Sequence, residues 1–172
     1  MKRILLLSVL ALAACDPHTP SPRYATAPMY LLDIAPEALV GTWYEVASFP
    51  APFQDGCTHT TATYAPIEGG LSVDNRCRRG AQAVQITGTA TKVGPGQFKV
   101  KLAGVPFAGD YWVIGQSRDG RTLLVGTPTR LAGWMLHRDA HVTPDERRWA
   151  ADVFDRNGYD VAALQRTPQK PF

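Results

Sequence analysis

Apolar and polar side chains alternate along most of the chain from residue 41 onward. In the segment 98–102, for example, phenylalanine, valine and leucine alternate with two lysines, so one face is apolar and the other charged. A period of two is typical of a β-strand that buries one face. Glycine-containing turns separate such segments at short, even intervals, as in an antiparallel sandwich or barrel. The pattern predicts eight strands, over residues 41–50, 57–65, 71–78, 83–93, 97–103, 110–117, 122–126 and 133–138.

A single helix is predicted after the last of these strands. Thr143 is suited to the N-cap, Pro144 to the first helical position, and Glu146 completes a capping box. Asn157-Gly158 signals the end of the helix, and a further short strand is expected near residues 161–165. The apolar stripe of the helix needs a surface to cover it, and the outside of a closed sheet provides one. The stripe consists of Trp149, Ala150, Val153 and Phe154.

The N-terminus has the pattern of a segment that is removed on export. Lys2 and Arg3 precede an apolar run over residues 4–12, which is too short to span a bilayer as a helix. Leu12-Ala13-Ala14-Cys15 then resembles the bacterial lipobox, in which the signal is cut before the cysteine and the thiol carries a diacylglycerol. The resemblance predicts a signal peptide over residues 1–14 and a lipid on Cys15. The alternative is an ordinary secretory signal followed by a chance cysteine.

Residues 15–36 contain several prolines among small and polar residues, a composition that favours extended chain. This segment is predicted to be a tether between the lipid and a domain at residues 37–172. The alternative is that its part over residues 29–32 packs across the domain.

Charge and motif content narrow the classes of function. The formal charge of +3 includes Lys2 and Arg3, so removal of the signal leaves +1, and no run of five like charges favours nucleic acid. The chain has no nucleophile elbow, no zinc-protease motif and no phosphate-binding glycine loop. Its four histidines are scattered, at positions 18, 59, 137 and 141. No catalytic residue, metal site or cofactor is predicted.

The three cysteines leave one pair once Cys15 is assigned to the lipid. Cys57 opens the second predicted strand and Cys77 lies near the end of the third, and residue 67, midway between them, lies inside the intervening turn. Opposed positions of an antiparallel hairpin have a constant sum, so Cys57 and Cys77 are predicted to face each other and form a disulfide, as an export compartment permits. The alternatives are two reduced thiols or a metal site, which would lack nearby paired histidines.

The run Gly41-Thr42-Trp43-Tyr44-Glu45 resembles the Gly-x-Trp signature of the first strand of lipocalins, and is similar to their bacterial and apolipoprotein D branch. The order of eight strands, one helix and a short strand matches that family over residues 37–169. The resemblance implies an all-β fold: an eight-stranded antiparallel up-and-down barrel with the C-terminal helix packed outside. We expect Trp43 and Glu45 on one face of the strand, and Gly41 to let the backbone pass closely beneath the tryptophan ring.

Two further motifs follow from the same resemblance. Gly109-Asp110-Tyr111 is similar to the second lipocalin motif, commonly Thr-Asp-Tyr, and differs at its first residue. Arg138 stands where the third motif has an arginine that packs over Trp43 and closes the base of the barrel by a cation–π contact. The residues on either side of Arg138 depart from the bacterial pattern, which puts the local loop in doubt. The residues expected to be structural are Gly41, Trp43, Asp110 and Arg138.

Alternation also predicts which side chains face the barrel interior, and the resemblance adds positions on the sixth and eighth strands. Apolar walls with a few polar groups are typical of a small-molecule pocket, and a solid core is the alternative. The predicted ligand-binding residues are Ala62, Tyr64, Val73, Asn75, Phe98, Val100, Leu102, Tyr111, Trp134 and Leu136.

These observations favour a membrane-anchored protein that stores or transports a lipid, such as a fatty acid or lysophospholipid, as a monomer or homodimer. The alternatives are a structural or interaction lipoprotein with a filled barrel, a haem or pigment binder, and a lipocalin-fold isomerase or de-epoxidase. Bacterial lipocalins usually sit on the periplasmic face of the outer membrane, which is the location favoured here. Asp16, directly after the lipidated cysteine, instead favours the inner membrane by the rule known in enteric bacteria.

Overall fold

The computed structural model describes residues 27–169, and it contains all eight predicted strands, with ends that differ from the predicted ones by no more than two residues. The predicted signal peptide, Cys15 and Asp16 lie outside the described residues. Within the described chain no helix is long and apolar enough to cross a membrane. The strands are β1 Gly41–Ser48, β2 Cys57–Ile67, β3 Gly70–Arg79, β4 Gln82–Gly94, β5 Gln97–Leu102, β6 Gly109–Gln116, β7 Thr122–Gly126 and β8 Gly133–His137.

The strands form a closed barrel rather than a sandwich. Neighbours pair antiparallel in chain order from β2 to β8, β8 pairs with β1, and β1 returns to β2 with Trp43 opposite Ala62. Because each strand reverses direction, the connections gather at two ends. The end of the barrel at which β1 begins is called the closed end. The opposite end, at which β1 finishes, is called the mouth. The mouth carries the loops over residues 49–56, 80–81, 103–108 and 127–132.

One helix, α1 Pro144–Arg156, packs against the outside of the barrel, as predicted. Its capping box is present: Glu146 N donates to Thr143 Oγ1 over 3.2 Å, and Thr143 N donates to Glu146 Oε2 over 2.6 Å. The final strand, β9 Gln165–Arg166, pairs with β1. It begins at the end of the predicted range because Val161–Ala163 form a 3₁₀ turn first.

Residues 29–34, which we call the strap, pack against the barrel instead of forming part of a free tether. Leu32 N donates to Val113 O on β6 over 2.9 Å. Met29 and Leu31 join the apolar cluster between the helix and the barrel, while Ile34 is buried in the interior cluster. The packed alternative for residues 29–32 is therefore correct, and the folded unit begins before the predicted boundary at residue 37.

A disulfide joins Cys57 and Cys77, with Cα atoms 5.5 Å apart, but the predicted register of its hairpin is wrong. The turn is formed by residues 68–69, so Cys57 lies opposite Arg79 and not opposite Cys77. An irregularity in β2 between Thr58 and Thr61 then brings the two cysteines close enough to bond across the ladder. The constant-sum argument failed because the pairing of Ile67 with Gly70 centres the turn between residues 68 and 69, and not on residue 67.

The barrel interior as a candidate functional site

The closed end is sealed by Trp43, whose side chain is fully buried. Its Nε1 donates to Leu39 O over 2.7 Å, and the Arg138 guanidinium lies 3.5 Å from the ring centroid. Arg138 also donates to Val40 O over 2.9 Å and to Thr42 O over 3.0 Å, which holds it across the base of the barrel. The cation–π contact implied by the resemblance is therefore present.

Gly41 is needed for a different reason from the one expected. Its φ is +101°, which disfavours any residue with a Cβ, and an added Cβ would lie 3.1 Å from a guanidinium nitrogen of Arg138. The glycine thus makes room for the arginine rather than letting the backbone pass beneath the Trp43 ring.

Asp110 does not belong to this closed-end cluster. Because β6 runs from the mouth towards the closed end, Asp110 lies near the mouth, where it forms an ion pair with Lys99 over 2.7 Å. The turn that β6 reaches at the closed end is instead organised by Asp119, which accepts hydrogen bonds from Ser117 and from the backbone N–H of Arg121. Those hydrogen bonds lower the pKa of Asp119. The structure gives Asp110 an ion pair on the barrel wall near the mouth, and its role in the family motif stays a prediction.

Above Trp43, towards the closed end, the inward-facing side chains are buried against one another. Phe98 and Val113 are fully buried there, and the hydroxyls of Tyr64 and Tyr111 lie 3.3 Å apart. Burial raises the pKa of Tyr64 to about 12 and also raises that of Tyr111, so both phenols remain protonated. We call this layer the floor. It contains Tyr64, Leu71, Val73, Ala90, Phe98, Tyr111, Val113, Leu123, Val125 and Leu136.

Closer to the mouth, side chains that face the same interior are only half-buried. On β3 the buried Val73 is followed by half-buried Asn75, and on β5 the buried Phe98 is followed by half-buried Val100. Since these side chains point away from the outer surface, their remaining exposure faces a space inside the barrel. We call this space the chamber. Its wall is formed by Ala62, Asn75, Ile86, Val100, Leu102 and Trp134.

The ten predicted ligand-binding residues thus divide between two layers. Five lie in the floor and five in the chamber wall. Ile86 was missed, although it lies directly opposite Asn75 and shares the inward face of Ala90 on β4. Alternation within residues 83–93 contained the signal that would have found it.

Two polar atoms of the interior have no hydrogen-bond partner within the described chain. They are Asn75 Oδ1 and Thr60 Oγ1, and both atoms are buried. Ala62 lies next to both: it pairs with Asn75 across the ladder and follows Thr60 by two residues on β2. An unpaired buried polar atom is costly, so this part of the wall favours a ligand that brings a donor.

A chain of hydrogen bonds runs along the β1 side of the mouth. Trp134 Nε1 donates to Gln54 Oε1 over 2.6 Å, and Gln54 Nε2 donates to Glu45 Oε2 over 2.7 Å. Glu45 also accepts from Thr167 Oγ1 over 2.6 Å. Burial raises the pKa of Glu45, and the bonds from Thr167 and Gln54 oppose that shift. Glu45 lies opposite Leu136 on β8, so it faces inward, on the same face of β1 as Trp43.

Glu45 and Gln54 also border a crevice of about 670 Å³ beside the mouth. Its walls are the loop after β1 and the C-terminal segment over residues 165–168. This segment extends the side of the barrel, because Thr167 N donates to Val46 O and His59 N donates to Pro168 O. The mouth therefore has a polar border on the side of β1.

The histidines and acidic residues within the described chain do not form a metal-binding arrangement. No group of three His, Cys, Asp or Glu side chains could hold a metal ion in residues 27–169. His137 is buried outside the chamber: its Nδ1 accepts from Asp139 N over 2.9 Å, and its Nε2 lies 3.2 Å from a Glu146 oxygen. This histidine joins β8 to α1 and has a structural role.

Comparisons with known proteins agree with this geometry. A family model, the lipocalin-like domain, matches residues 35–169. The chain is 34% identical over 145 residues to temperature-induced lipocalin-1 of Arabidopsis thaliana, covering 77% of this chain and 78% of that protein. It is 32% identical over 158 residues to the outer membrane lipoprotein Blc of Escherichia coli K12, covering 87% and 85%, and apolipoprotein D sequences match as well.

Solved structures show the same fold. Insecticyanin from the tobacco hornworm Manduca sexta superposes with a TM-score of 0.68 at 15% identity, covering 87% of this chain and 88% of that one.

Proposed function

The chain belongs to the lipocalin family, and on that premise we propose that it binds one amphipathic lipid, with the acyl chain in the chamber. Lipocalins bind small hydrophobic ligands, and the homologues are binding proteins rather than enzymes. A fatty acid or a lysophospholipid has an apolar chain and a polar head, which suit an apolar chamber closed at one end and bordered by polar groups at the other.

The observation that carries the proposal is the change in burial along the inward faces of the strands. Val100, Leu102 and Trp134 are apolar, face inward and yet remain half-buried. An acyl chain that covers this surface would gain about 0.8 kcal/mol of binding free energy for each methylene group removed from water. Phe98 and Val73, in the floor, set the depth at which the chain stops.

The polar end of the ligand would lie among the groups that border the chamber. Thr60 and Asn75 have buried oxygens without partners in the described chain, and a ligand hydroxyl, ammonium or amide can donate to them. Gln54 and Glu45 lie nearer the mouth and are already hydrogen-bonded to each other. They would therefore lie beside the head group and not contact the acyl chain. A few placed polar groups in apolar walls are the usual means of orienting a small ligand.

We further propose that the protein is held at a bacterial envelope membrane by a lipid on Cys15. The lipobox pattern and the similarity to a protein named as an outer membrane lipoprotein support this. The outer membrane is favoured, and Asp16 leaves the inner membrane open. Fractionation of cells that carry the wild type or Asp16→Ser distinguishes the two membranes.

Native mass spectrometry of protein purified from its membrane tests the binding function. We expect a co-purified acyl lipid in one-to-one stoichiometry, and we expect Asn75→Leu to weaken its retention while Asp74→Leu, on the outward face of β3, does not. Protein that carries no acyl lipid and takes up none of an added lysophospholipid would contradict the proposal and favour a filled barrel. Visible absorbance after addition of haem would favour a pigment binder instead.

A further inference from the structure

Four large apolar side chains are exposed on three of the loops at the mouth. Phe53 is 65% exposed on the loop after β1, and Leu131 is 52% exposed on the loop after β7. On the loop after β5, Val105 is 39% exposed and Phe107 is 81% exposed. Exposed aromatic and aliphatic side chains gathered around one opening are characteristic of an interaction surface. We call these four residues the rim.

The loop that carries Phe107 is held in its exposed position by hydrogen bonds. Residues 103–108 contain no charged side chain. Lys101 Nζ donates to Val105 O over 2.6 Å and to Pro106 O over 2.7 Å, which fixes the two carbonyls that precede Phe107. The phenylalanine ring therefore points into solvent from a braced loop.

Cationic side chains surround the rim. The mouth loops and adjoining strand ends carry cationic side chains at Arg78, Arg79, Lys99, Lys101 and Arg130, and the carboxylates there include Asp55 and Asp110, of which Asp110 pairs with Lys99. Arg79 lies next to the rim, since it donates to Phe53 O over 3.2 Å. Basic side chains around apolar ones complement a lipid surface with anionic head groups.

The described chain also enters the domain at the mouth. Arg130, on the loop after β7, donates to Ala27 O, and Met29 packs against Gly126 at the mouth end of β7. From there the strap runs to the closed end, where Asp33 pairs with Lys92 over 2.5 Å. A lipid on Cys15 is twelve residues from Ala27, which corresponds to at most about 40 Å of extended chain.

We propose that the rim docks on a bilayer with anionic head groups, with Phe53, Phe107 and Leu131 in its interfacial layer, so that the chamber opens onto the membrane. One orientation of the barrel on the membrane, with the mouth towards the bilayer, is supported by three features. They are the exposed apolar residues, the surrounding cations and the entry of the chain at the same end. This inference rests on the proposed anchoring at Cys15, and it does not depend on which ligand the chamber holds.

The test uses the full chain with its own anchor, reconstituted in vesicles of phosphatidylethanolamine and phosphatidylglycerol. An environment-sensitive fluorophore is attached at Phe107→Cys on the rim, or at Ile67→Cys or Val93→Cys, which replace exposed apolar residues at the closed end. Cys57 and Cys77 are joined in the disulfide, and the proposed lipid blocks the thiol of Cys15. The fluorophore therefore reacts with the introduced cysteine. Wild-type protein treated in the same way should carry no label.

We expect the Phe107→Cys probe to shift to the blue and to be quenched by lipid-borne quenchers, with neither effect for the two closed-end probes. Phe53→Ser combined with Leu131→Ser should reduce the shift at position 107. Vesicles of phosphatidylcholine alone should give weaker quenching, and equal quenching would overturn the role of the cations.

Three results would overturn the docking proposal. The first is a Phe107→Cys probe that stays in water on vesicle-bound protein, and the second is insertion of a closed-end probe. The third is a blue shift without vesicles that grows with protein concentration, which would assign the rim to a second copy of the chain. Lysophospholipid binding measured on the same samples separates failure of docking from failure of ligand binding.

Discussion

The floor and the chamber are built from the same strands and the same alternating pattern, yet they differ in how completely they are packed. In the floor, Val73 and Phe98 are almost fully buried and meet Trp43 beneath them. In the chamber, Asn75 and Val100, two residues further along the same strands, keep accessible surface. The difference indicates that the closed end supplies most of the barrel's stability and leaves the mouth end able to accept a ligand.

The largest expected effect comes from removing the large side chain beneath the floor. Trp43→Ala should lower the free energy of unfolding by about 3–5 kcal/mol, as for other large buried aromatic side chains. Trp134→Ala is the matched control, because Trp134 faces the same interior but is only half-buried. Urea denaturation should show a much smaller loss for the control. Equal losses would mean that the chamber is as tightly packed as the floor.

The disulfide is expected to have the next largest effect, and its loss removes covalent support from the mouth. Cys57→Ser combined with Cys77→Ser opens a link between residues 20 apart in the sequence, which the chain-entropy model values at about 3 kcal/mol. Reduction of the wild type should reproduce the loss in denaturant unfolding. A loss below about 1 kcal/mol in both experiments would contradict a role for this bond in stability.

Filling the chamber should change binding more than stability. Ile86→Trp places a large ring in the chamber, and we expect lysophospholipid affinity to fall at least about tenfold, or about 1.4 kcal/mol. The free energy of unfolding should change by less than about 1 kcal/mol, because overpacking costs about 1–3 kcal/mol only where the core is already full. Thr87→Trp, on the exposed face of β4, is the control. A large loss of stability for Ile86→Trp alone would indicate a filled barrel.

The smallest expected effect is a pH dependence of the free energy of unfolding, which arises from Glu45 at the border of the chamber. Burial raises the pKa of Glu45 above its ordinary value of 4.5, so its contribution to stability is fully present below that value. The contribution is lost as the pH rises through the higher pKa of the folded state.

Glu45→Gln removes this dependence. The stability of the variant relative to the wild type should therefore rise as the pH is increased from about 4.5. Thermal unfolding of both proteins at several pH values measures the difference, and a variant that loses stability relative to the wild type as the pH rises would contradict the assignment.

Much of this architecture could be predicted from the sequence, because it depends on local patterns. Alternation gave the strands, and the capping residues Thr143 and Glu146 gave the start of the helix. The Cys57–Cys77 bond was also predicted, but its register was wrong because the sequence 66–70 does not show which two residues form the turn. The packed strap was left as one of two possibilities, since its contacts are made with β6, far away in the sequence.

The candidate site was harder to predict because burial at a given depth is a property of the whole barrel. Alternation shows that Val73 and Asn75 face the same way, but not that one lies in the floor and the other in the chamber wall. Gln54 was missed for a related reason: it lies on a loop, and its place beside Trp134 depends on how that loop folds over the mouth. The ion pair of Asp110 with Lys99 could not be predicted either, because it depends on how β5 pairs with β6.

The most direct test of the central claim is quenching of Trp134 by a lysophospholipid brominated in the middle of its acyl chain. An acyl chain in the chamber would place the bromines beside Trp134 and above the floor that covers Trp43. Titration should quench the wild-type fluorescence to a plateau at one ligand per protein, and Trp134→Phe should lose that quenching. Unquenched wild type, or equal quenching in Trp134→Phe, would contradict the proposal that the chamber binds the acyl chain.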